Sequence, residues 1–323
     1  MNIRYISVHL LSLLAMATMS PPLSSMASKI LPHVLPLSVS CAPLAIRAFS
    51  NQLRDGFENY HKQHNPERYA ELMHEKDVMQ SFLHKELKSN GIPNAESIAV
   101  QLTNIEPFLS SIHNKILIGV EFRERFIKAG ILHAPLSTTT YRNENGDKKV
   151  IEEWYTGTQE ESKKYYQQVL AALWHEVGHI HAYHDASRLV TFVAMPLSIY
   201  TACVGILKRM PIPLRGPKHT LVYACTAVPM YGISRIIGNL YSRHQERYAD
   251  EYIPNKDEYL QGAIDLFEQR IAEQPTKNLN NGSLLSKYGE AFSYYWHATH
   301  PTDQERLARF KERLALLEEQ TSN

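Results

Sequence analysis

One segment, Glu160–Ser187, constrains most strongly what this chain can fold into. Apolar side chains recur along it at steps of three and four residues, at Leu170, Leu173, Val177 and Ile180. That spacing predicts one long helix with a buried face. Polar residues embedded in such a helix are informative, because histidine and glutamate are rarely buried without a partner or a function.

The polar residues of this helix form the sequence His175-Glu176-Val177-Gly178-His179. Histidines four residues apart lie on one helical face, so both imidazoles can reach a single Zn²⁺. The glutamate beside the first histidine can hold the water that zinc activates and take its proton. Hydrolysis by a metal-activated water, with Glu176 as general base, is therefore the predicted chemistry.

A catalytic zinc needs a third protein ligand, and the residues just after the motif supply no clear one. One class of zinc peptidases places a third histidine six residues after the second, following a glycine turn. Those positions hold Asp185 and Ala182 here, so that arrangement does not fit, although Asp185 stays open as a ligand. His181 and His184 are interpreted as structural or solvent-facing.

Glu246 is the better third ligand, and it lies in the polar helical stretch after residue 241. Asp250 follows four residues later and shares its helix face. Glu246 could ligate zinc while Asp250 accepts the outer N–H of a ligand histidine. Nearer the C-terminus, His300 and Arg306 are candidates to stabilise an oxyanion, as a histidine or arginine beside a metal can do.

These elements together resemble the HtpX and CAAX prenyl endopeptidase family, gluzincin zinc peptidases of metallopeptidase family forty-eight. The resemblance covers about residues 170–316, and its three parts occur in the family's order. They are His175-Glu176-x-x-His179, Ser242-Arg243-x-x-Glu246-x-x-Ala249-Asp250, and His300-Pro301 with Arg306.

The resemblance implies a role for each matching residue. One Zn²⁺ would be held by His175, His179 and Glu246. Glu176 would be the general base and acid, and Asp250 would support a ligand from behind. His300 and Arg306 would lie near the scissile carbonyl and stabilise the transition state.

The fold that the resemblance implies is α+β and predominantly α-helical. It is a zincin-type domain with a small β-hairpin or sheet before the zinc-binding helix, and an apolar helical hairpin between the zinc-binding helices. The segments Thr138–Tyr141 and Val150–Tyr155 are strand-prone and flank a turn sequence, which predicts the β-hairpin.

The chain departs from the family in two places. Thr302 follows Pro301, where the family often has a second proline. The Asn-Ala-Phe segment that commonly forms the substrate-binding edge strand is absent before the zinc helix. We take Val150–Tyr155 as the candidate edge strand, which would bind an extended peptide by β-augmentation.

Two apolar segments lie between the zinc helix and Glu246. Leu189–Leu207 has about 19 residues without a charge, near the length that spans a bilayer. Thr220–Leu240 is weaker, because Pro229 and Arg235 interrupt it. Whether both span a membrane or pack in a soluble core is left open. If they span, the basic connector Lys208–His219 should be cytoplasmic and the active site should face the other side.

The N-terminus has the pattern of a signal peptide, with one basic residue, a short apolar run and a small-x-small site near residue 27. We predict a signal peptide or anchor at 1–27 and a helical region at 28–117, in which the helical pattern runs from Phe49 to Leu117. The peptidase domain is predicted at 118–323, with its apolar hairpin at 189–240. The predicted location is extracytoplasmic, periplasmic or secreted, with or without membrane insertion. An organelle membrane is the alternative, since no acid precedes Asp55.

Composition excludes other classes. Thirty-four basic and 33 acidic residues among 323 give a net charge of +1, which argues against nucleic acid as a partner. Three cysteines are too few for a cysteine-rich zinc cluster. The predicted function is a zinc endopeptidase acting on protein or peptide substrates in envelope or membrane quality control. The alternative is a non-proteolytic, zinc-bound chaperone of the membrane or envelope.

Overall fold

The computed structural model describes most of the chain outside its N-terminal fifth. The described ranges are 60–103, 109–112, 114–142, 148–184, 217–273 and 300–322, with single positions 198, 201, 205 and 209. Segment 1–27 and nearly all of Leu189–Leu207 lie outside them, so the signal-peptide and first apolar-helix predictions stay predictions.

The chain divides into two compact units. One consists of residues 1–48 and 188–240, and the other of residues 49–187 and 241–323. The second unit holds every residue discussed below as part of the functional site. The domain boundaries predicted at residues 27 and 117 remain predictions.

Helix α1, Pro66–Ser89, begins at a sequence signal that is easily recognised. The Asn65 side chain accepts a hydrogen bond of 3.1 Å from the backbone N–H of Arg68, and Pro66 occupies the first helical turn. The buried face follows helical spacing, with Leu72, Met79, Leu83 and Leu87. The helix ends at Ser89 with Asn90 as its C-cap, and Gly91 then adopts a φ of 75°.

A three-stranded sheet follows α1 and corrects the helical interpretation of residues 49–117. Its strands are β1, Ala99–Leu102, β2, Leu109–Ile112, and β3, Lys115–Ile118. The order is β1-β3-β2, with β3 parallel to β1 and antiparallel to β2. The helical interpretation is wrong here because short apolar runs such as Ile116–Ile118 are too brief to show a period, and burial in the sheet decides their conformation.

Helix α2, Val120–Lys128, connects this sheet to a β-hairpin. The hairpin strands are β4, Ser137–Arg142, and β5, Lys148–Glu153, paired antiparallel with Ser137 opposite Glu153. This confirms the predicted hairpin and agrees with an α+β fold that has a small β element before the zinc helix.

Helix α3, Gln159–His181, is the helix predicted to bind zinc. It begins at a capping box in which Thr158 Oγ1 accepts from the N–H of Glu161, and Glu161 Oε2 accepts from the N–H of Thr158. The prediction that it extends to Ser187 is wrong at the C-terminal end. The helix ends at His181, because the backbone at Tyr183 turns into the left-handed region with a φ of 51°.

Helices α4, Pro217–Glu251, α5, Asp257–Glu273, and α6, Asp303–Ser322, complete the described fold. The predicted apolar segment Thr220–Leu240 is helical and lies within α4. Among the residues that the structure describes, no helix combines the length and apolar character required to cross a membrane.

Helix α3 packs closely on α5 through a glycine. A Cβ atom added at Gly262 would collide with the backbone of Gln167 on α3. The absence of a side chain there lets the two backbones approach, and it buries Leu170 and Leu173 together with Tyr259 and Leu260 of α5. This packing fixes α3 against α5.

We predict that the buried ion pair between α1 and α2 is a major stabilising element. Arg123 donates two hydrogen bonds of 2.6 Å to the carboxylate of Glu75, and both residues are buried. Glu75→Gln would leave a buried guanidinium without its counter-charge, and we expect the free energy of unfolding to fall by about 3–5 kcal/mol in urea titrations. Glu71→Gln, in the exposed pair with Arg68, is the matched control and should cost less than about 1 kcal/mol. Equal losses in the two variants would contradict this prediction.

Candidate metal centre

Three side chains from α3 and α4 converge on one point. Nε2 of His175 lies 3.1 Å from Nε2 of His179 and 3.3 Å from Oε2 of Glu246. Nε2 of His179 lies 3.4 Å from Oε1 of Glu246. Among the described residues these three form a group able to hold one metal ion, with a ligand atom from each within 4.8 Å of the others.

The spacing of this donor set fits zinc. Zn–N and Zn–O distances of about 2.0–2.1 Å with tetrahedral angles place neighbouring ligand atoms roughly 3.3 Å apart. The three observed separations, 3.1–3.4 Å, are close to that value. Two imidazoles and one carboxylate also form the three-ligand set of catalytic zinc, which leaves a fourth position for water.

An ionic network lies behind His175, and only its Asp250 member was predicted to support a ligand histidine. Nδ1–H of His175 donates to Oδ1 of Asp250 at 3.0 Å, so the ring is held with Nε2 toward the donor set. Arg306 donates to both oxygens of Asp250, through Nε to Oδ2 at 3.0 Å and through Nη2 to Oδ1. Its Nη2 atom is also 3.2 Å from Nδ1 of His175.

This network shifts the acidity of the groups in it. Burial and the charge of Arg306 lower the pKa of His175, but hydrogen bonds to Asp250 and Glu246 outweigh them and raise it to about 9. Burial raises the pKa of Glu246, but hydrogen bonds from three histidines hold that pKa well below its usual value. Without metal, His175 is therefore protonated at neutral pH, and zinc must displace that proton to bind.

Glu176 and His300 complete the set of predicted site residues. Glu176 is buried on α3 next to the first ligand histidine. Nδ1 of His300 lies 3.1 Å from Oε1 of Glu246, and the His300 side chain is 60% exposed. The chain thus brings six of the seven residues chosen from the sequence into one contact network, and Glu176 follows His175 on the same helix. Asp185, the open alternative, lies outside the described residues.

His181 and His184, which were both interpreted as structural or solvent-facing, have different environments. His181 is exposed, with its ring centroid 4.9 Å from that of Tyr252. His184 is buried, and its Nδ1 atom lies 2.6 Å from Nδ1 of His179. Helical spacing could not reveal this contact, since the helix ends between the two residues.

The sequence does not reveal how α6 holds the end of α4. Besides Arg306, Arg309 donates to Asp250 Oδ2 at 3.2 Å. Arg313 donates to the carbonyls of Asp250 and Ile253 at 2.7 and 2.5 Å, which satisfies backbone acceptors at the C-terminus of α4. The spacing of the three arginines at steps of three and four is the one signal in the sequence that could have indicated a shared partner.

A glycine inside the motif sets the distance between α3 and α4. A Cβ atom added at Gly178 would lie 2.8 Å from Cβ of Tyr252 and 2.9 Å from Cα of Ala249. Real Cβ atoms essentially never approach other atoms so closely. Glycine at this position therefore allows the backbone contact that carries Glu246 to the two histidines.

This geometry fits a mononuclear metal centre of the kind that metallopeptidases use. The model of Peptidase family M48 matches residues 161–314, a segment that contains both ligand helices and Arg306. The match supports assignment of this segment to the M48 metallopeptidases and indicates a zinc metallopeptidase. Searches of curated proteins and of solved structures gave no match.

We predict that Gly178→Ala weakens zinc binding. The added methyl group must separate α3 from α4, which moves Glu246 away from the histidines, and we expect zinc affinity to fall at least about tenfold. Competition with a chromophoric chelator measures this, on protein whose helical content is verified by circular dichroism.

Gly262→Ala is the matched control, because it inserts the same methyl group into the close contact between α3 and α5. Both substitutions should lower the free energy of unfolding by about 1–3 kcal/mol through overpacking. Only Gly178→Ala should change the zinc affinity of the folded protein. Unchanged zinc affinity in Gly178→Ala would show that the close contact does not set the ligand geometry.

Proposed function

We propose that this chain is a zinc endopeptidase that hydrolyses peptide bonds in protein substrates. The convergence of His175, His179 and Glu246, with Glu176 in the turn that carries the first ligand, is the observation that carries the proposal. The M48 match also supports the proposal, because the matched segment contains these four residues.

Bound zinc would activate a water molecule and polarise the substrate carbonyl. The protein's own contribution begins with Glu176, whose carboxylate takes a proton from the attacking water and returns it to the leaving nitrogen. Burial of Glu176 on α3 removes it from bulk water and restricts its motion. Such a fixed position is what general acid–base catalysis requires.

His300 and Arg306 have different exposures, and this suggests different roles. The side chain of His300 is 60% exposed beside Glu246, so it can reach a bound substrate and donate to a developing oxyanion. Arg306 is buried, bonded to Asp250, and stacked 4.4 Å over the ring of Phe267. We therefore propose that His300 contacts substrate and that Arg306 positions Asp250 and His175.

The strand that binds substrate is proposed to be β2 rather than β5. Helix α3 packs against β2 and β3. Among the described residues β2 pairs only with β3, so its other side is an edge of the sheet. An extended peptide could add to that edge by main-chain hydrogen bonds. The earlier candidate, Val150–Tyr155, contains β5, which pairs with β4 instead.

The more specific parts of the proposal rest on the sequence alone. They are the likeness to HtpX or CAAX prenyl endopeptidases, the extracytoplasmic location, and a role in envelope or membrane protein quality control. Their support is the signal-like N-terminus and the apolar character of Leu189–Leu207. Extraction of membranes with alkaline carbonate would test membrane insertion directly.

Glu176→Gln should abolish proteolysis and keep the metal. The amide preserves the size of the side chain but cannot accept the proton of water, so we expect cleavage of an unfolded casein-type substrate to fall by about 10²–10⁴-fold. Zinc content, measured by atomic absorption, should equal that of the unsubstituted protein. Glu160→Gln, in the exposed first turn of α3, is the matched control and should cleave normally.

Retained cleavage in Glu176→Gln would overturn the proposed mechanism. The unsubstituted protein could instead contain its full zinc and cleave no unfolded substrate in a chelator-sensitive way. That result would favour a non-proteolytic chaperone.

Glu246→Gln should lose zinc. The amide removes the negative charge that balances the metal. Loss of a hydrogen-bond partner behind a ligand typically weakens metal affinity by about 10–100-fold, so loss of a ligand itself should weaken zinc affinity by more than about 100-fold. Glu251→Gln, exposed on the same helix, should bind zinc normally. Full zinc occupancy in Glu246→Gln would reject Glu246 as a ligand.

A further inference from the structure

The residue His184 is buried next to the metal centre, although it does not belong to the predicted ligand set. Its Nδ1 atom lies 2.6 Å from Nδ1 of His179, and the two rings meet edge to face with centroids 4.9 Å apart. This is a hydrogen-bond distance to the ring nitrogen of His179 that faces away from Glu246.

An unusual backbone conformation brings His184 to this position. Had α3 continued, His184 would lie about 140° around the helix from His179 and could not contact it. Instead the helix ends at His181, and Tyr183 adopts a φ of 51°, a left-handed conformation that is rare outside glycine. The Tyr183 side chain is 76% exposed, so its own packing does not account for that conformation.

The protons on the two rings can be assigned from the donor set. Nε2 of His179 lies 3.4 Å from Oε1 of Glu246 and must offer a lone pair there to bind metal. The proton of a neutral His179 is then on Nδ1, which donates to His184. Nδ1 of His184 must be the acceptor, which places the proton of His184 on Nε2.

His184 is held in turn by the helix that supplies Glu246. The side-chain amide of Gln245 donates to the His184 carbonyl at 3.4 Å. The ring of Tyr248 meets the His184 ring edge to face, with centroids 5.6 Å apart. Both residues flank Glu246 on α4, so one helix carries a ligand and also fixes the residue that orients another ligand.

We propose that His184 is a positioning residue of the metal centre. It accepts the Nδ1 proton of His179 and thereby holds Nε2 of His179 toward the metal, as Asp250 does for His175. The left-handed turn at Tyr183 is retained because it places this acceptor. This inference rests on the zinc site of the proposed function, but it does not depend on proteolysis.

Three variants test the role, with zinc affinity measured by chelator competition. His184→Phe keeps an aromatic ring but removes the acceptor, and we expect zinc to bind about 10–100-fold more weakly. His184→Asn places an amide oxygen near the position of Nδ1, so it should recover most of the affinity. His181→Phe makes the same change at the exposed neighbouring histidine and should bind zinc like the unsubstituted protein.

The pattern of results separates orientation from packing. Zinc affinity that is unchanged in His184→Phe, or equally weakened in His184→Phe and His184→Asn, would overturn the inference. Thermal unfolding of the metal-free variants shows whether each one folds. If His184→Phe does not fold, the comparison of His184→Asn with His184→Ala decides, and equal affinities would then refute the acceptor role.

These results are distinct from the test of the proposed function. A protein whose zinc affinity depends on His184 but which cleaves nothing would retain the inference and lose the peptidase. A protein that binds no zinc would lose both.

Discussion

Glu246 and Asp250 are buried on one face of α4, and an ionised carboxylate in such a place is destabilising by several kcal/mol unless its oxygens are bonded. Both are bonded by groups from other elements. Glu246 faces the two histidines of α3 and His300, and Asp250 faces His175 and the arginines of α6. The position of α3 against α4 and α6 therefore follows from the need to compensate these two charges.

Apolar packing sets the distances at which that compensation occurs. Gly178 lets α3 approach α4, and Gly262 lets α5 approach α3 about three turns earlier along α3, at Gln167. In both places a methyl group would meet backbone atoms, which cannot move aside as the end of a long side chain could. Because a tetrahedral zinc requires donor separations near 3.3 Å, the glycine at position 178 matters for the geometry of the candidate site, whereas Gly262 matters for the packing of α3.

The two ligand histidines have different supports. His175 donates to a carboxylate whose charge is shared with Arg306, whereas His179 is paired with a second imidazole. A carboxylate makes a ligand histidine more basic than a neutral acceptor does, so the two nitrogens offered to the metal are not equivalent. In the proposed peptidase, Glu176 follows the carboxylate-supported histidine in sequence, and His300 contacts the third ligand.

The candidate donor set on α3 could be predicted from the sequence. The His-Glu-x-x-His spacing puts two imidazoles on one face of a helix whatever else the chain does, and Thr158 and Asn65 mark the helix starts through local hydrogen bonds. It could not determine the sheet at residues 99–118, since strands of four residues show no period and depend on their partners. Nor could it find His184 or the roles of Gly178 and the arginines of α6, because these depend on where the helix ends and how closely helices pack. The approach of Glu246 and Asp250 to α3 was expected from the family resemblance alone, since a separation of about seventy residues along the chain carries no distance information, and the tertiary structure shows the contacts themselves.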